Sequence, residues 1–413
     1  MPMKNDSTPF FSAAVIVSAL GYFVDAFDLL LFGVVRVKSL TELGLSGQAL
    51  TDASISLQNW QMAGLFAGGI GAGILGDKLG RVKALYYSIA LYSLGTILNG
   101  FVDSVGMYAV CRFLAGVGLA GELGAGITLV AESMPKEKRG LGTTLVASIG
   151  ISGALAAGCM GWFVADWRMA YFIGGGMGLV LLILRLRVSD SEIFHRLKSR
   201  TDVPRGRILD LITDRSRFFR LINSTLLGVT TWYGVGILML LAPEFGVARG
   251  LTDPVSPALA VIWFHAGMVS GDVASGLLSQ YLKSRLKAMR LFLALQTVLI
   301  GLYLYAPLQS VSQMYLLITL LGFAGGFWAV FITNATEQFG SNLRVTAASA
   351  VPSIVRLSFV PMALSFQWLK SAQIMGNTVH AAAVVGAVCL ILAFWSSFRL
   401  KETFHTDMDY LEH

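Results

Sequence analysis

"GILGDKLGRVKAL", residues 73–85, sets three glycines and four charges between two apolar stretches. Gly73, Gly76 and Gly80 let helices approach closely, while Asp77, Lys78, Arg81 and Lys83 are too expensive to leave unpaired in hydrocarbon. The apolar runs on either side, 52–76 and 84–102, are each long enough to cross a bilayer as a helix. The reading is a charged loop at a membrane surface between two spans.

The same pattern extends over the whole chain. Ten further apolar runs lie near residues 10–36, 106–133, 141–165, 168–187, 218–242, 257–282, 288–306, 312–335, 345–369 and 377–400. The 413 residues are 55% hydrophobic and 13% charged, whereas soluble domains carry about 25% charged residues. The expected fold is an all-α integral membrane protein with twelve transmembrane helices.

The net charge of +7 reports topology and not a nucleic-acid partner. With the N-terminus placed inside, 24 of the 31 Lys and Arg fall in cytoplasmic segments, five outside (Arg36, Lys38, Arg168, Arg249, Lys370) and two within spans (Arg112, Arg356). That asymmetry predicts both termini in the cytoplasm, in a bacterial inner membrane. No A-x-A site follows the first apolar run, which is read as a retained span. Cys111, Cys159 and Cys389 sit in apolar runs at unrelated spacings, so neither a disulfide framework nor a metal site is expected. No enzyme signature is present, and no cofactor is implied beyond a proton gradient. The expected partners are a small-molecule substrate, protons and the lipid bilayer, with the chain as a monomer.

Residues 188–217 are polar and contain "ILDLI" (208–212), which predicts a linker with short surface helices between residues 1–187 and 218–413, six spans each. The halves echo each other. "TLVAESMPKEKRG" (128–140) and "TNATEQFGSNLRV" (333–345) align at an offset of 205, matching Thr128, Glu132 and Arg139 to Thr333, Glu337 and Arg344. Two pseudo-symmetric repeats with a site between them is the plan of a rocking secondary transporter.

Several polar residues are set where they are expensive. "GYFVDAFDLLLFG" (21–33) holds Asp25 and Asp28 three apart, on one helical face, where two carboxylates do not ionise together cheaply. The pair is therefore expected to take up and release a proton. "RFLAGVGLAGELG" (112–124) adds Arg112 and Glu122 within a span; Glu122 is a further proton-coupling candidate, and Arg112 is expected to hold an anion. Its G-x-G-x-x-G (Gly116, Gly118, Gly121) lies inside one apolar helix and is read as helix packing, not as a dinucleotide fingerprint. Asp272 and Arg356 lie mid-span in the second half and are substrate-binding candidates, Arg356 as a second anion contact. "TTWYG" (230–234) offers Trp232 and Tyr233, and "LQNWQ" (57–61) offers Gln58 and Gln61, as cavity-lining candidates. His265 and His380 are expected to be structural.

With these residues in view, "GILGDKLGRVK" resembles the signature loop of the major facilitator superfamily, G-x-L-x-D-r-x-G-R-[KR]. The resemblance implies that Gly73, Asp77, Gly80 and Arg81, with Glu132, Arg139, Glu337 and Arg344, latch one conformation. "GYFVDAFDL" and "RFLAGVGLAGELG" are similar to the first- and fourth-span patterns of metabolite:proton symporters, with Asp25 standing for a Glu and Asp28 matching directly, which implies that Asp28 is the principal proton carrier. "LKETFHTDMDYLE" (400–412) resembles the L-P-E-T tail of sugar porters, and "SDSEIF" (189–194) is similar to their E-S-P motif. The implied function is proton-coupled symport of a small organic anion or zwitterion; the alternatives are a proton-coupled efflux antiporter and a facilitative sugar-type porter. The fifth span, "GISGALAAGCMG" (150–161), lacks the G-P-x-x-G-G of drug:proton antiporters.

Overall fold

The computed structural model describes residues 13–79, 81–133, 139–185, 208–340, 343–371 and 374–404, and every regular element among them is helical. Spans 1 to 6 are Ala13–Glu42, Gly47–Leu79, Arg81–Asn99, Val105–Ser133, Arg139–Phe163 and Trp167–Arg185. A short helix at Ile208–Thr213 covers the "ILDLI" segment and leads into span 7, Arg215–Tyr233, which continues as a π-helical turn at Gly234–Met239. Spans 8 and 9 are Pro257–Leu282 and Arg285–Tyr305. Span 10 is two pieces, Val311–Gly325 and Trp328–Glu337. Span 11 is also two, Arg344–Leu357 and Phe359–Lys370, and span 12 is Thr378–Arg399. Among the described residues, nine helical stretches are long and apolar enough to cross a membrane on their own composition; the twelve spans together form the two-half bundle.

The first two spans run farther than the apolar pattern suggested. Span 1 reaches Glu42, and this moves Arg36 from an expected outside loop into the bundle, where it is fully buried. The breaks in spans 10 and 11 were also unanticipated. A Gly325–Gly326 pair ends the first piece of span 10, and Ser358, six residues after Pro352, divides span 11.

Both halves are knitted by the same device. Gly64 and Gly68 of span 2 lie against the backbone of Phe113 and Val117 in span 4, and Gly267 and Gly271 of span 8 lie against Thr319 and Phe323 in span 10. At each, a Cβ would overlap a carbonyl of the facing helix, so only glycine permits the crossing. Gly116 and Gly118 are likewise packed against spans 2 and 3, as expected for helix packing. Gly267→Val is therefore expected to abolish the folded protein, because backbone cannot yield, while Gly276→Val on the same span, with nothing within 4 Å, is expected to fold normally. Yield of monodisperse protein and its melting curve distinguish the two; a well-folded Gly267→Val protein overturns the close-crossing account.

The C-terminal segment docks on the second half. Glu402 accepts from the Ser284 hydroxyl and from the Arg285 and Leu286 amides at the start of span 9 (2.9 and 3.2 Å for the amides), where the helix dipole favours an anion. Burial alone would raise its pKa, but these donors outweigh burial and hold the carboxyl below the ordinary value. Thr403 donates to Glu337 (2.7 Å), which pairs with Arg285 (3.1 Å).

A central cavity between the halves

Asp25 and Arg356 meet at the centre of the bundle. Arg356 Nη2 lies 3.5 Å from Asp25 Oδ2, joining span 11 to span 1, and both side chains are almost wholly buried. They face a cavity between the halves that is narrower, in this conformation, than an occupied small-molecule site. Span 1 contributes Tyr22, Asp25 and Leu30 to its wall, and span 5 contributes Ile151 and Ala154. The second half contributes Thr231 and Trp232, His265 and Met268, Trp328 and Arg356. Broken helices make this geometry. Trp328 opens the second piece of span 10 just beyond its glycine break, and Arg356 lies two residues before the break in span 11.

The expected partner of Asp25 is elsewhere. Asp28 accepts a hydrogen bond from Thr96 of span 3 (2.8 Å) and sits near Arg112, inside the first half. Arg112 is fully buried there; it donates to the Gln61 side-chain oxygen and lies 4.7 Å from the centre of the Phe32 ring. The two aspartates thus serve different neighbours, one between the halves and one within a half. Tyr108 and Tyr171 join hydroxyls at 2.5 Å close to Arg112, with Ser39 3.4 Å from Tyr108.

Of the other candidates, Trp232 lines the cavity, and Gln58 lines a smaller adjoining space with Leu30, Gly33, Met239 and Leu240. Tyr233 turns away and donates to the Ala382 carbonyl of span 12 (2.7 Å). Asp272 is fully buried and accepts from the Ala329 amide (3.1 Å), which caps the second piece of span 10. Its position accounts for an acid in mid-span by helix capping. The side chains of Glu122, Asp77, Arg81, Glu132, Arg139 and Arg344, with Gly73 and Gly80, lie outside the described residues. Of the latch charges, Glu337 is described, and it pairs within the second half.

Tyr22, Thr231 and Trp328 are cavity residues that the sequence did not single out, and His265, expected to be structural, also lines the cavity. Tyr22 was recoverable, being one turn before Asp25; the others had no local signal. His265 Nδ1 is 2.9 Å from the Val261 carbonyl oxygen. His380 is exposed and packs its ring 6.1 Å from Tyr305.

Between this cavity and the end of the bundle farthest from Glu402, the halves are bound by a second ion pair. Arg36 donates to both oxygens of Glu244 (2.9 and 2.8 Å), to the Leu240 carbonyl (2.7 Å) and to Ser54 (3.2 Å). Lys370 donates to Gln48 (3.1 Å) and Gln367 to Asp52 (3.2 Å) at the same end.

Known proteins share this architecture. The family model of the Major Facilitator Superfamily matches residues 16–363. A gentisate transporter of Corynebacterium glutamicum is 25% identical over 414 residues, covering 95% of this chain and 88% of that one. A niacin transporter of Acinetobacter baylyi is 24% identical over 380 residues, covering 83% of each. Among solved structures, a D-xylose-proton symporter superposes with a TM-score of 0.72 at 15% identity, over 96% of this chain and 99% of that one, a likeness of fold.

Proposed function

The chain belongs to the Major Facilitator Superfamily and is a membrane transporter, and we propose that it carries a small ring-bearing carboxylate together with a proton. The observation that carries this reading is the Asp25–Arg356 pair at the wall of a cavity between the halves. A carboxylate cargo and the Asp25 carboxylate compete for one guanidinium. Protonation of Asp25 releases Arg356 for the cargo, and deprotonation reclaims it.

Charge selects the states that cross. The empty carrier, with Asp25 ionised and paired, is neutral at the cavity; so is the carrier holding one proton and one anion. A carrier with only the anion, or only the proton, exposes an unbalanced charge in a low-dielectric interior and is disfavoured by several kcal/mol. Movement of proton and anion together follows. Trp232, Trp328 and Tyr22 supply flat apolar surface for a ring. The two relatives named above are described as carrying gentisate and niacin, both ring carboxylates. The wall is otherwise mostly aliphatic, which disfavours the sugar-porter alternative, since a sugar needs many hydrogen-bond partners.

The positive-inside distribution supports cytoplasmic termini, and so places the Arg36–Glu244 end outside. Purified protein in liposomes is expected to accumulate labelled nicotinate when the exterior is made acidic, relative to empty liposomes, and to stop when a protonophore is added. Arg356→Gln is expected to lower nicotinate binding by more than about tenfold, because a charge-assisted bidentate contact is lost. Uptake indifferent to the pH gradient, or full nicotinate binding by Arg356→Gln, refutes the reading.

A further inference from the structure

We propose that Thr231 and His265 form a second recognition point in the central cavity, for a hydroxyl carried by the cargo, so that the preferred cargo is a hydroxylated ring carboxylate and not the bare acid. This rests on the reading of the cavity as a carboxylate site anchored by Arg356.

Thr231 is 2% exposed, faces the cavity, and its hydroxyl has no hydrogen-bond partner among the described residues. A threonine inside a helix ordinarily bonds back to a carbonyl one turn earlier. Thr297, Thr319 and Thr333 do so, each at 2.8 Å. Thr225 and Thr230 of span 7 are also unbonded, but neither reaches the cavity. A buried hydroxyl left without a partner is costly unless something arrives to satisfy it. In an alternating carrier, that something is the cargo.

His265 stands on the neighbouring span, 3% exposed and lining the same cavity. The Val261 carbonyl can only accept, so the 2.9 Å contact assigns the proton to Nδ1. In the neutral ring, Nε2 is then an acceptor, and it bonds to no described residue. Among the described residues, no carboxylate contacts the ring.

The two groups are complementary. A cargo O–H donates to Nε2 of His265 while its oxygen accepts from the Thr231 hydroxyl. A bare ring leaves both groups unsatisfied, and a methyl ether lacks the proton that His265 requires. Sites built to bond a hydroxyl reject the analogue lacking it far more strongly than apolar pockets reject a change in size. Arg356 fixes one end of the cargo and this pair reads another.

The test is binding to the purified full chain, followed by calorimetry and by quenching of the cavity tryptophans. Benzoate, its three monohydroxy isomers and the matching methoxybenzoates are the probes. One hydroxybenzoate is expected to bind at least about tenfold tighter than benzoate and than its own methoxy analogue. Thr231→Val and His265→Phe are each expected to bring that ratio close to one, while His265→Gln, which keeps an acceptor, retains part of it. A ratio near one for every isomer in the wild type, or a ratio that survives both substitutions in proteins that melt normally, overturns the proposal. Benzoate binding that disappears in Arg356→Gln shows that the carboxylate reading holds regardless of the ratio. If neither benzoate nor any hydroxybenzoate binds, the carboxylate reading fails and this inference falls with it.

Discussion

Asp25→Asn is expected to abolish accumulation of cargo against its gradient while leaving exchange of internal for external cargo intact. Asparagine keeps the size of a protonated aspartate but holds no titratable proton and no charge. Arg356, 3.5 Å away in the native protein, is then permanently available to an anion. Binding should persist and lose its dependence on pH. The energetics are large, because one pH unit is worth about 1.4 kcal/mol, or roughly tenfold accumulation for one proton per anion. In the variant the ratio of internal to external cargo should settle near one at any imposed gradient. The empty variant carrier carries an unpaired Arg356, so its return across the membrane should also slow net uptake more than exchange. Asp28→Asn is the informative comparison. If it uncouples transport and Asp25→Asn does not, proton binding takes place in the first half beside Thr96 and Arg112 and not at the cavity wall.

The family resemblance puts the proton chiefly on Asp28, whereas the cavity reading proposed above puts it on Asp25. Residues three apart on a helix share a face only loosely, since their directions differ by about 60°. On span 1 that angle is enough to turn Asp25 toward span 11 and Asp28 toward span 3. A helical repeat shows that two acids are near each other, but not which neighbour each will meet. The twelve spans, the short linker helix and the glycine crossings were legible because length, hydropathy and residue size are local properties. The breaks in spans 10 and 11 were not, because each interrupts an apolar run for one or two residues without changing its mean hydropathy. Asp272 illustrates the consequence. In an unbroken helix a mid-span acid has no backbone donor to bond, so it looked like part of the cargo site. The break at Gly326 exposes the Ala329 amide and gives it a structural partner. Arg36 was misread for a related reason: it borders an apolar run, and its partner Glu244 lies 208 residues away.

That pair supplies the second large effect. Arg36 is fully buried and Glu244 is 19% exposed, and their bidentate contact is reinforced by the Leu240 carbonyl, Ser54 and the nearby Thr51. The contact joins span 1 of the first half to the short helix Ala242–Ala248 that follows span 7, with only Leu30, Met239 and their neighbours between it and the cavity. It can exist only while the halves are closed at this end. Removing Glu244 leaves a buried guanidinium without its carboxylate in the closed state, whereas in the open state water solvates it. Allowing for the partial exposure of Glu244, Glu244→Ala should destabilise closure by about 2–3 kcal/mol, a shift of roughly 30- to 150-fold toward the open state. A cysteine at Leu30, in a background with Cys111, Cys159 and Cys389 replaced by serine, reports the change. In intact cells an impermeant maleimide applied outside should label it slowly in the wild-type background and much faster with Glu244→Ala. The double substitution Arg36→Met with Glu244→Leu should restore slow labelling, because two apolar side chains bury without an unpaired charge. Net uptake should fall in the double variant as well, through slower opening. Equal labelling in all three backgrounds would mean that the pair does not hold this end shut. Faster labelling from the inside alone would instead reverse the orientation of the bundle in the membrane.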